Sequence, residues 1–134
     1  MRYLLDTNIC IYLIKKRPPV TLAHFRQHSP DAIGISIITV FELEFGIKKS
    51  RYPKKSRNAL EMFLTPLNIV NLDLSSVQEA AAIRAHLEQK GQPIGPYDLF
   101  IAGLARSQNL ILVSNNTKEF ERVEGLSLVN WAAE

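Results

Sequence analysis

Arg2-Tyr3-Leu4-Leu5-Asp6-Thr7-Asn8-Ile9-Cys10-Ile11-Tyr12-Leu13-Ile14-Lys15-Lys16-Arg17 opens the chain, and its reading decides the fold. Residues 2–5 read as a short strand that ends at Asp6. An apolar helical stretch over 8–14 follows, closed by Lys15, Lys16 and Arg17, cations that suit the negative end of a helix dipole. Pro18-Pro19 stops that helix and admits a second one over about 20–28.

The same alternation continues outward. Ser29-Pro30-Asp31 is a turn and 32–37 a buried strand. Thr39-Val40-Phe41-Glu42 matches a capping box, which predicts a helix from there to about residue 50. A further helix is expected over 53–64 and a strand over 69–73. Ser76-Val77-Gln78-Glu79 is a second capping box, opening a helix with Val77, Ala80, Ile83 and Leu87 on one face and Gly91 at its end. After the loop 92–96, residues 97–108 form a nearly all-apolar, hence buried, helix carrying Asp98. An apolar strand over 110–113, a polar loop over 114–118 and a last edge strand over 126–129 complete the chain. Strands alternating with helices imply right-handed crossovers and a mostly parallel sheet covered on both faces.

The 134 residues suit one domain, 1–134, with one core. Hydrophobic residues at 46% and charged residues at 22% describe an ordinary globular protein. The single cysteine, Cys10, excludes an internal disulfide and stands in an apolar run, as a buried structural thiol does. No stretch approaches the roughly 20 apolar residues of a membrane span, and the first residues are too poor in apolar side chains for a signal peptide. A cytoplasmic location without membrane contact is the expectation.

In open parallel sheets the ligand site lies beyond the carboxyl ends of the strands. Asp6 falls there after the first strand, Glu42 in the first turn of the helix after the second, and Asn115 and Asn116 after the fourth. Asp98, at the start of the helix before the fourth strand, joins them only if its loop returns to that rim. Each acid has a plainer role available: Asp6 as a helix N-cap, Glu42 as the partner in its capping box, Asp98 as a favourable charge at a helix start. Their combination weighs against those roles. A carboxylate at the head of Leu99-Phe100-Ile101-Ala102 faces desolvation, and three carboxylates in one cleft require a cation. Oxygen ligands without a Cys/His set favour magnesium, or manganese, over zinc. Asp6 and Asp98 are the best direct ligands, with Glu42 and the Asn115-Asn116 side acting through water or a second ion. Such a centre suits in-line hydrolysis of a phosphodiester. This route needs no 2′-hydroxyl and does not by itself separate RNA from DNA.

Four motifs are now assembled: Leu4-Leu5-Asp6-Thr7-Asn8; Ser36 to Gly46 around Glu42; Ile94-Gly95-Pro96-Tyr97-Asp98-Leu99-Phe100-Ile101-Ala102; and Leu112-Val113-Ser114-Asn115-Asn116-Thr117-Lys118-Glu119-Phe120. In order and spacing the chain resembles PIN-domain ribonucleases, specifically the VapC toxins of type II toxin–antitoxin systems. The resemblance implies a three-layer α/β/α fold around a mostly parallel sheet of five strands. It implies Asp6, Glu42 and Asp98 as the catalytic acids on magnesium or manganese, supported through hydrogen bonds by Asn8 and Ser114. It implies endoribonuclease activity, a VapB-like antitoxin, and toxin dimers within a larger complex. Many PIN domains have a fourth acid where Asn116 stands, and Glu119 is the residue placed to compensate. The versions of the last two motifs look like the enteric subgroup, which implies initiator tRNA, cut in the anticodon region, as the RNA.

The net charge is +3. Its distribution says more: Lys48, Lys49, Arg51, Lys54, Lys55 and Arg57 form one block that attracts polyanions, or is simply a solvated surface. Lys15, Lys16 and Arg17 join it as phosphate contacts, unless they only complete their helix end. A phosphatase of the haloacid dehalogenase type needs an acid where Asn8 stands. A catalytically silent RNA-binding module fits the basic block equally well and predicts binding indifferent to chelation. His24 and His28 have a zinc-like spacing but no completing ligands, so an exposed helical face is expected. Trp131 and Phe120 are expected to pack the C-terminal edge rather than stack on bases. An inhibitor would cover Ile11, Tyr12 and Ile14, or place a cation in the acid pocket.

Overall fold

The computed structural model describes residues 1–133. Five strands, β1 (Tyr3–Leu5), β2 (Ile33–Ser36), β3 (Asn68–Val70), β4 (Ile111–Val113) and β5 (Leu128–Val129), form one sheet in the order β3-β2-β1-β4-β5. Every pairing is parallel, so the sheet is wholly parallel. Among the described residues seven α-helices and one short 3-10 turn (Pro30–Ala32) connect them: α1 (Thr7–Lys15), α2 (Pro19–Arg26), α3 (Ile37–Lys48), α4 (Pro53–Leu64), α5 (Leu74–Gln89), α6 (Pro96–Ser107) and α7 (Thr117–Phe120). None is long and apolar enough to cross a membrane among the described residues.

Successive strand residues feed opposite faces. Leu4 and Leu112 enter one core with Ile83, Leu87, Ile101 and Leu104 of α5 and α6. Leu5 and Val113 enter the other with Ile9, Leu13, Leu43 and Leu60 of α1, α3 and α4. This gives three layers, with β1 in the centre between β2 and β4. Asp6 therefore emerges at the middle of the carboxyl rim.

Two helix starts differ from the capping-box expectation. Helix α3 begins two residues before Thr39, because the Ser36 side chain accepts the Thr39 N–H. Helix α5 begins before Ser76, because Asp73 accepts both the N–H and the hydroxyl of Ser76. The Ser/Thr-x-x-Glu/Gln spacing is met in both places, but an oxygen three residues earlier wins the N–H. The rotation that follows puts Ser76 on the buried face of α5 and leaves Val77 exposed. Gly103 sits where α6 crosses that face: a Cβ there would lie 2.7 Å from the Ala80 nitrogen and the Ser76 oxygen. His28 lies beyond the end of α2, and both His24 and His28 stack on the buried Trp131, at 6.2 and 5.1 Å, rather than facing solvent. Trp131 and Phe120 are core residues.

Candidate functional site

Asp6 is the N-cap of α1, its Oδ1 accepting the Ile9 N–H at 3.0 Å. Its Oδ2 accepts a short hydrogen bond from the buried Ser114 hydroxyl at the end of β4. Neighbouring strand ends are thus tied by their first polar residues. Burial pushes the Asp6 carboxyl above its usual range, and the charge of Glu42 adds to this, while the Ser114, Ile9 and Asn8 donors oppose it.

Glu42 lies in the second turn of α3, not the first, because α3 starts early. Its Oε1 accepts the Thr7 hydroxyl at 2.7 Å, and Thr7 stands 3.2 Å from the Thr39 hydroxyl. Its carboxylate is committed across the sheet rim and does not cap its own helix. Asp98, in the first turn of α6, does return to the rim: its carboxyl is raised to about 6, by burial first and then by the charges of Asp6, Glu119 and Glu42. Glu119 is held by the Asn116 amide, which donates to it at 3.0 Å, while the Asn116 N–H rests on Ser114 Oγ at 2.9 Å. Asn8 is exposed and reaches Asp6 through its backbone N–H rather than its side chain.

The charges of Asp6, Glu42 and Glu119 all act on Asp98, so the four carboxylates lie near one another at the carboxyl rim. The donors are all hard oxygens. Cys10, the nearest sulfur, is fully buried, with its thiol pushed up by burial and by the Asp6 charge. This donor set fits a hard divalent ion such as magnesium or manganese and not zinc. No group of three or more His, Cys, Asp or Glu among the described residues is arranged to hold an ion by itself. Uncompensated carboxylates repel one another, and magnesium takes only one or two of them directly while keeping several waters. An open rim is therefore compatible with that ion.

The basic block divides. Arg57 is paired with Glu44 through two bonds, at 2.6 and 2.5 Å, that tie α4 to α3. The Lys49 ammonium lies 4.7 Å from the Phe45 ring centroid. Lys48, Arg51 and Lys54 are exposed. Lys15 and Lys55 line a groove of about 500 Å³ with Ile11, Ile14, Leu43 and Glu42, so cations flank the acid rim. The sequence alone did not show the Thr7 hydroxyl bond to Glu42 or the Asn115–Tyr12 bond (2.8 Å). For Thr7 a signal was present: a hydroxyl directly after an N-cap acid.

The PIN domain family model matches residues 3–126. A ribonuclease VapC2 from Haemophilus influenzae is 44% identical over 131 residues, covering 98% of each chain. A tRNA(fMet)-specific endonuclease VapC from Shigella flexneri is 39% identical over 132 residues, covering 98% of this chain and 99% of that one. The crystal structure of a DNA-bound VapBC from Salmonella typhimurium superposes with a TM-score of 0.92 at 38% identity, covering 98% of both chains. The chain belongs to the PIN-domain family, among its VapC ribonucleases.

Proposed function

We propose that this chain is a divalent-metal-dependent endoribonuclease of toxin type, with Asp6, Glu42 and Asp98 as its catalytic acids. The observation that carries the proposal is the convergence of acids on Asp98: a partly buried carboxylate, raised to about 6 by burial and by the charges of Asp6, Glu119 and Glu42. Such a group is tolerable at neutral pH chiefly with a cation beside it. Asp6 and Asp98 would hold a magnesium ion, with Glu42 and Glu119 as the acids beside them. When bound, the ion supplies charge neutralisation at the phosphodiester and a water of lowered pKa.

The chain's own groups do the rest. Ser114 fixes one Asp6 oxygen and the Ile9 N–H the other, so the carboxylate is oriented before any ligand arrives. Thr7 holds Glu42 by one oxygen, which leaves the second free to accept a proton from the attacking water. Asn116 cannot contribute the fourth negative charge, but it positions Glu119, which does. Lys15 and the exposed Lys48, Lys49, Arg51, Lys54 and Lys55 draw in the RNA backbone.

The substrate is RNA, and initiator tRNA is the proposed target, from the likeness to the tRNA(fMet)-specific relative. The partner is a VapB-like antitoxin, from the likeness to VapBC. Its apolar segment covers the groove at Ile11 and Ile14, and a cation from it enters the acid pocket. A cleavage assay on initiator tRNA and other structured RNAs tests the reading. Wild type cuts with magnesium and not with chelator, and Asp6→Asn and Asp98→Asn are inactive. Cleavage that survives both substitutions and chelation overturns it.

A further inference from the structure

On the rim side of α1 a second groove, of about 620 Å³, opens between α1, the Arg17-Pro18 link and the loop after β4. Lys15, Arg17, Tyr12 and Asn115 line it. Lys15 and Arg17 are both exposed, and none of the ion pairs among the described residues uses either one. The Asn115 amide nitrogen donates to the Tyr12 oxygen at 2.8 Å, so the phenolic proton is left to point elsewhere. The other half of the Asn115 amide, its Oδ1, is buried and has no donor. A buried acceptor without a donor is destabilising. Asn115 directly follows Ser114, whose hydroxyl is on Asp6, so this groove adjoins the acid pocket.

We propose that this groove is a ribonucleotide subsite beside the scissile position, resting on the nuclease reading above. Lys15 and Arg17 take a backbone phosphate, and Tyr12 adds its O–H donor. Asn115 Oδ1 accepts the 2′-hydroxyl of the same nucleotide after a small side-chain adjustment. A ribonucleotide meets both halves of the groove at once, its phosphate facing the two cations and its 2′-hydroxyl supplying a donor to Asn115. The groove also provides the RNA-over-DNA choice that the acid centre does not, since the 2′-hydroxyl is the group DNA lacks.

The test uses Asp98→Asn as a non-cleaving background and fluorescence anisotropy with a short labelled single-stranded RNA and the DNA of the same sequence. Lys15→Gln and Arg17→Gln each weaken RNA binding and lower the log–log salt slope by about 0.7, the value for one lost phosphate contact on a single strand. Lys15→Arg restores the slope, which a folding defect would not do. Asn115→Ala brings the RNA-to-DNA affinity ratio toward one. With otherwise wild-type enzyme, Lys15→Gln raises KM for RNA and leaves kcat within about twofold, as loss of uniform binding does. Unchanged affinity, slope and KM in the Lys15 and Arg17 variants overturn the subsite, including the case in which the groove serves a peptide. An enzyme that cleaves no RNA but loses binding and slope as expected would instead overturn the nuclease reading and leave the subsite standing.

Discussion

The hydroxyl of Ser114 is hydrogen-bonded to the carboxylate of Asp6 across 108 positions of sequence, and both side chains are buried. Asp6 is thereby held in one rotamer by two donors from different elements. Ser114→Ala removes one donor and leaves a buried carboxylate oxygen unpaired. The expected loss is about 1–3 kcal/mol in denaturant unfolding at neutral pH. Magnesium affinity, read by calorimetry, falls about 10- to 100-fold, as for other groups that orient a ligand. An unfolding midpoint equal to wild type would show that the bond does not constrain Asp6.

Asp98 makes metal-free stability depend on pH in a direction opposite to the usual carboxylate. Its folded pKa, about 6, lies above the ordinary 3.8. Between those values the folded state holds more proton than the unfolded state, so unfolding free energy falls as pH rises through the window. Asp6 is shifted the same way. In chelator, Asp98→Asn is therefore more stable than wild type at pH 7.5, by about 1–2 kcal/mol after solvent screening is allowed for, and the difference shrinks toward pH 4. Magnesium raises the wild-type melting temperature and narrows the gap. A variant that is less stable than wild type in chelator refutes this.

Thr7 acts on Glu42. Thr7→Val keeps the shape and removes the donor at 2.7 Å. Cleavage is expected to slow about 10- to 100-fold, with a stability change of only about 1 kcal/mol. Single-turnover rates beside thermal melts distinguish this from general destabilisation, and Thr7→Ser is expected to recover most of the rate.

Gly103 sets how closely α6 approaches α5. Gly103→Ala gains about 1 kcal/mol of helix propensity. Against this, the new methyl meets two backbone atoms at 2.7 Å and the Ala80 Cβ at 2.8 Å, none of which moves freely. Overpacking of this kind costs typically 1–3 kcal/mol, and rigid backbone neighbours put it at the upper end. The net expectation is a loss of about 1–2 kcal/mol. Because α6 carries Asp98 at its far end, metal affinity falls as well.

The order of strands and helices was legible because each apolar run has the length and punctuation of one element type. Pro53 and Leu64 bound α4 where the sequence placed them, and Asp6 ended its strand as expected. The helix starts at Ile37 and Leu74 were not legible from the capping boxes. A box pattern names two partners, whereas the fold offered Ser36 and Asp73 as competing acceptors and engaged Glu42 with Thr7, 35 positions away. The return of Asp98 to the rim also lay beyond the sequence, since it depends on the path of a loop. His24 and His28 were misjudged as exposed because their partner, Trp131, is distant in sequence.

The central position of β1 has a consequence for synthesis. Asp6 leaves the ribosome well before the strand beside it: Ser114 follows 108 positions later, and the Asn116–Glu119 pair after that. A polypeptide interrupted before β4 has the early acids but neither the buried donor that aligns them nor the fourth negative charge. The proposed site therefore stays incomplete until β4 and the residues after it have been made.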